Sequence, residues 1–197
     1  MRSKTHDFLS LRAHTVLGWF TQPPEVEVKQ IEMAFLAAGK NLAAGALAVL
    51  VIAVGLWSIP GTRDAVLLPL LCGWALPLLL LILRGMYLRH LFMRQPLSPA
   101  QTILHGRRLA NNGAIAGICW GLSSLLLLDS RDIQQLTFLI SSIGLIIMGG
   151  AGAQAQYGRL VNLFVCATSL TFVCGLFLNP ALTSFMAAGF LLYAFVA

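Results

Sequence analysis

The chain has 197 residues, 58% of them hydrophobic and 10% charged, with a formal net charge of +6 and a mean hydropathy of +0.82. That composition excludes an ordinary soluble globular domain. The basic residues lie between apolar runs instead of forming a groove or stripe, which excludes a nucleic-acid partner and makes them topology signals.

About forty mixed residues precede the first long apolar run, so a cleaved signal peptide is not expected and the first span is retained. Within residues 1–40, Phe8, Leu9, Leu11, Val16, Leu17, Trp19 and Phe20 alternate with Arg2, Lys4, His6, Arg12 and His14 up to Pro23-Pro24. This loosely amphipathic stretch suits either a headgroup-layer helix or a tail. From Glu25 to Lys40 the pattern is helical and leads into the first span, with Glu25 and Glu27 placed for a helix N-terminus.

A bilayer core needs roughly 20 apolar residues per helix. The runs that meet this predict an all-α membrane domain over residues 41–197, a bundle of six transmembrane helices at 41–59, 65–83, 110–128, 136–153, 161–178 and 181–197. Four of the connections are short and imply antiparallel neighbours; the second, from Arg84 to Leu109, reads as one long basic loop. Its arginines, with His90 and His105 at its flanks, suit contact with anionic headgroups.

Eleven of the basic residues fall on one side of this layout (Arg2, Lys4, Arg12, Lys29, Lys40, Arg84, Arg89, Arg94, Arg107, Arg108 and Arg159), and two, Arg63 and Arg131, on the other. Positive residues are retained in the cytoplasm, so both termini are expected there. The interfacial aromatics Trp57, Tyr87, Tyr157 and Tyr193 give the same orientation. The sixth span meets the terminus with no polar residue after Tyr193, so a longer protein continuing into the cytoplasm is expected.

In the third span, Gly113, Gly117 and Gly121 recur at four-residue spacing and clear one helix face for close backbone approach, by a helix of the same chain or of a dimer mate. The fourth span ends in a Gly/Ala-rich run whose Gly149, Gly150 and Gly152 suit close packing or a hinge. Pro69 and Pro77 each remove a helix hydrogen bond from the second span and are expected to bend it. Ser123 and Ser124 on the third span and Ser141 and Ser142 on the fourth lie at a similar depth. They outline a candidate outward-facing pocket floored by Trp74 and Trp120, unless each hydroxyl bonds its own helix. Near the inner surface Asn41, Asn111, Asn112, Gln154, Gln156 and Asn162 share a level, either as a polar layer or as ordinary helix caps.

No Asp or Glu occurs inside a span, which disfavours ion-coupled transport. Cys72, Cys119, Cys166 and Cys174 all lie in apolar runs without zinc-ligand spacing and read as small hydrophobes. No triad, P-loop or nucleotide fingerprint occurs. Neither a metal nor a cofactor is expected, and no catalytic residue.

The run Gly39-Lys40-Asn41-Leu42 leading into a span that ends near Trp57, the second span closing with Leu83 to Arg89, the basic loop, the segment Gly117 to Leu122 and the Gly/Ala-rich end of the fourth span together resemble the N-terminal membrane regions of bacterial signalling proteins. In that family the membrane region precedes a cytoplasmic GGDEF diguanylate cyclase domain, or a related output domain. The resemblance implies a sensory and anchoring module in the inner membrane. It further implies a homodimer that responds to an unknown small ligand or membrane signal and controls cyclic di-GMP synthesis by a domain outside this chain, so no catalytic residue carries over. A small multi-span transporter or channel is the alternative reading, and a ligand-free structural anchor a third.

Overall fold

The computed structural model describes residues 23–59, 67–94, 96–127 and 133–178. Among them are five α-helices and no strand. They are α1 (Pro24–Ser58), α2 (Leu67–Arg94), α3 (Pro99–Gly121), which passes into a 3₁₀ helix (Leu122–Leu127), α4 (Ile133–Gln154) and α5 (Gly158–Leu176).

The ends of these helices follow local chemistry. α1 starts with Pro24 in its first turn, where the missing N–H costs nothing, and with Glu25 and Glu27 against the positive end of the helix dipole. It stops at Ser58, whose hydroxyl donates to the Val54 carbonyl at 2.7 Å. Ile59, forced out of the helical region by Pro60, is extended at φ −71°, ψ 125°. α3 opens on a capping box: the Gln101 amide donates to Ser98 Oγ, and the Ser98 amide donates to Gln101 Oε1.

Four of the helices, α1, α2, α4 and α5, are long and apolar enough to cross a membrane. Their outward faces carry large apolar side chains such as Leu47, Val54, Leu80, Leu145 and Leu170, each more than half exposed, the surface a bilayer covers. The expected count of six spans is therefore met only in part. The third expected span lies on α3, which carries His105, Arg107, Arg108, Asn111 and Asn112. Its α-helical part ends at Gly121, well short of residue 128. The sixth, at 181–197, lies outside the described residues, as do both termini.

The expected long loop from Arg84 to Leu109 is corrected by the structure. α2 continues unbroken to Arg94, α3 begins at Pro99, and both segments are helical. α1, with 35 residues, is about 52 Å long at 1.5 Å per residue, against the roughly 30 Å of a bilayer core. α1, α2 and α3 thus run past the apolar zone at the same end and, with the start of α5, form a second, smaller core of Ile31, Phe35, Leu88, Leu109, Tyr157 and Leu160, with Phe92 and Ile103 packed against it. Phe35 and Phe92 stack at 4.0 Å. Arg89 Nε donates to the Phe35 carbonyl at 3.1 Å, so an arginine assigned by charge to a loop clamps α2 to α1. Tyr157 Oη lies 3.4 Å from Glu27 Oε1 and ties the α4–α5 turn to the start of α1. The larger core, within the apolar zone, gathers Val49, Ile52, Leu56, Trp74, Leu78, Trp120, Leu139, Ile143 and Phe172.

Candidate functional site

The glycine face of α3 is used inside the chain. A Cβ at Gly117 would stand 2.7 Å from the Phe164 carbonyl oxygen, and one at Gly121 would stand 2.7 Å from that of Thr168, while Gly113 abuts Leu160. All of these neighbours are on α5, so the four-residue repeat seats α3 on α5 backbone to backbone. Of the α4 glycines only Gly150 packs closely, against the Phe164 ring; Gly149 and Gly152 border open space. Pro69 falls in the first turn of α2, where its amide would be unpaired in any case. Pro77 alone sits within the ladder, leaving the Gly73 carbonyl without its helical donor.

The serines do not converge on one pocket. Ser124 is buried and donates to the Gly121 carbonyl; Ser142 donates to the Phe138 carbonyl one turn back; Ser141 is exposed. Ser123 is fully buried, and its hydroxyl has no partner. The two tryptophans do meet, edge to face at 5.6 Å, with Trp74 Nε1 donating to the Cys119 carbonyl at 2.9 Å. Burial and packing thus account for Trp74, while Trp120 also lines a cavity.

That cavity, of about 320 Å³, lies among α1, α2, α3, α4 and α5, within the size range of small-molecule sites. Its α1 wall is a stripe of small residues, Ala34, Ala38, Gly45 and Ala48, with Gly113 and Ala116 of α3 and Gly149 and Gly150 of α4 facing it. Exposed Ala44, Leu145 and Gly149 border the cavity toward the outer surface of the bundle, whereas Asn112 and Trp120 are only 4% exposed. Toward the C-terminal end of α1, α1 and α4 close on one another where the Phe138 ring occupies the space beside Gly55. The gap between them therefore lies on the side of the smaller core.

Three amides line this cavity: Asn41, Asn112 and Gln154. Asn112 Nδ2 donates to the Leu81 carbonyl of α2 at 3.1 Å, which fixes the orientation of the amide and leaves Oδ1 buried without a donor. Gln154 Oε1 is likewise buried and unpartnered. Asn111, Gln156 and Asn162, expected at the same level, are exposed. Three of the six residues expected at this level thus line one cavity. Among the described residues no charged side chain lines it. The small-residue stripe on α1 was the overlooked signal: Ala34, Ala38, Gly45 and Ala48 recur at helical spacing, in a run that hydropathy alone reads as uniformly apolar.

Among the described residues no cluster of His, Cys, Asp and Glu could hold a metal. Comparison with protein-family models, with curated proteins and with solved structures finds no match to this chain.

Proposed function

We propose that the chain is the membrane-embedded input and anchoring module of a bacterial signal-transduction protein in the cytoplasmic membrane. In this reading it is a homodimer whose N-terminus, C-terminus and inner helical extension are cytoplasmic. A sixth span follows α5, α3 with its 3₁₀ continuation serves as the third, and the module sets the activity of a C-terminal diguanylate cyclase domain. The observation that supports it best is the continuity of α1, which forms a wall of the cavity at Gly45 and Ala48 and the inner core at Ile31 and Phe35.

A helix that spans both places couples them mechanically. An occupant that binds one spacing of α1 and α4 better than another shifts the population of bundle states by its differential affinity alone, and the inner ends of α1, α2 and α3 move with the shift. Condensation of two nucleotides across a pair of cyclase domains depends on how the domains face each other, so a small change at the inner ends suffices as output.

The test is the native reading frame beyond Ala197. Continuation through a charged helical linker into a GGDEF or similar catalytic domain is the expected result. A stop codon directly after Ala197 overturns the signalling reading.

A further inference from the structure

Leu42 lies at the start of the apolar run of α1, and Leu83 closes that of α2. At this edge Gly85 of α2 lies against the Leu42 side chain, and one turn further along α2 the Arg89 guanidinium lies over Gly39 of α1, its Cζ 3.1 Å from the place of an added Cβ. The step from Gly85 to Arg89 is about 6 Å at 1.5 Å per residue, and the headgroup layer of a bilayer is about 5–7 Å deep on each side. Arg89 therefore stands at headgroup level. The missing Cβ at Gly39 lets the guanidinium rest on the α1 backbone, where Nε donates to the Phe35 carbonyl at 3.1 Å. That bond uses one of five N–H donors. Among the described residues the two amino groups of Arg89 meet no acceptor. The described carboxylates, Glu25, Glu27 and Glu32, all lie in the first turns of α1, with Glu32 seven residues, or about 10 Å, before Gly39.

A shallow cleft opens at this point, lined by Gly39, Met86, Tyr87, Arg89 and His90. Tyr87 is 60% exposed, and Met86 and His90 are exposed as well, so the cleft faces outward from the bundle. Lys40, beside Gly39, and Arg84, one turn before Tyr87, are also exposed and add positive charge within a Debye length. A guanidinium already held in place, with its paired N–H groups unused, matches the geometry of a phosphate. We propose that this cleft binds the phosphate of an anionic phospholipid headgroup, the Arg89 amino groups donating to its oxygens and Tyr87 and His90 flanking it. The acyl chains then run along the apolar faces of α1 and α2. The arginines from Arg84 to Arg108 do not share this role equally, because Arg89 is ordered by a backbone bond before any lipid arrives and loses less freedom on binding. The site is independent of the signalling reading and would serve a transporter or an anchor equally.

The test counts lipids retained by the whole chain in a mild detergent, by native mass spectrometry. The probe is dioleoylphosphatidylglycerol, and the control is dioleoylphosphatidylcholine, whose phosphate carries a compensating choline. The expected result is saturable uptake of a first phosphatidylglycerol per chain, about fivefold tighter than phosphatidylcholine and not displaced by millimolar inorganic phosphate. Arg89→Gln keeps a donor for the Phe35 carbonyl but loses the charge, and is expected to weaken that uptake about fivefold. Arg94→Gln, an equal loss of charge at an exposed position outside the cleft, changes it less than about twofold. Should Arg89→Gln fail to fold, His90→Glu, which sets a competing carboxylate at an exposed position of the cleft, gives the same loss. Equal affinity for the two lipids, or equal losses from the cleft variant and Arg94→Gln, is unspecific attraction to a basic surface and overturns the inference. Displacement of the lipid by inorganic phosphate assigns the cleft to a free anion and overturns it as well.

Discussion

At the scale of single residues, the glycines separate into those that carry the fold and those that do not. Gly117→Ala places a methyl group 2.7 Å from a backbone oxygen that cannot step aside. It is expected to cost about 1–3 kcal/mol and to lower the melting temperature in detergent. Gly144→Ala, with nothing within 4 Å, is expected to be neutral or to stabilise by up to about 1 kcal/mol, and paired melts of the two variants check both. His105 stands edge-on to the Phe92 ring at 6.2 Å, and burial, followed by the Arg108 charge, lowers its pKa below the ordinary 6.5. As pH falls the unfolded chain takes up that proton first, so the contribution is intact above pH 6.5 and is lost as pH falls toward the lowered folded value. The melting temperature of the wild type should drop more between pH 7.5 and pH 5 than that of His105→Gln.

At the scale of elements, hydropathy located the apolar parts of α1, α2, α4 and α5 because lipid contact demands continuous apolar runs. It misread Arg84 to Leu109, since a helix that buries only one stripe against other helices keeps its charges on the opposite face. Leu88 and Phe92 on α2, and Thr102, Gly106 and Leu109 on α3, follow that helical spacing, while Arg94, Arg107 and Arg108 point outward. The same limit hid the site. Asn112 and Gln154 were legible as a shared polar level, but that their acceptors are buried beside a cavity depends on how far α1 and α4 stand apart, a tertiary quantity. Of the four serines, Ser124 and Ser142 satisfy their hydroxyls within their own helix, a local choice that sequence depth alone does not reveal. Phe35→Ala removes a fully buried ring from the inner core, an expected loss of about 3–5 kcal/mol. Hydrogen exchange should then accelerate in the inner ends of α1, α2 and α3 and remain slow through the middle of α4.

On the whole-molecule scale, the charge asymmetry predicts that the end of the bundle carrying Arg94 and Leu104 is cytoplasmic. Single cysteines at Arg94 and Leu104, both exposed, are expected to react with a membrane-impermeant maleimide in inverted vesicles and not in intact cells. Cys72, Cys166 and Cys174, exposed on the apolar helices, are expected to resist it in both. Reaction of the introduced cysteines in intact cells reverses the topology. The coupling claim is tested most directly in the native full-length protein by comparing wild type, Gly149→Leu and a version whose membrane region is replaced by an unrelated six-helix anchor, with cyclic di-GMP production as the readout. A changed response in both variants, at equal expression and with the catalytic domain intact, is the outcome expected of an input module. Identical production in all three would contradict it and reduce the bundle to an anchor.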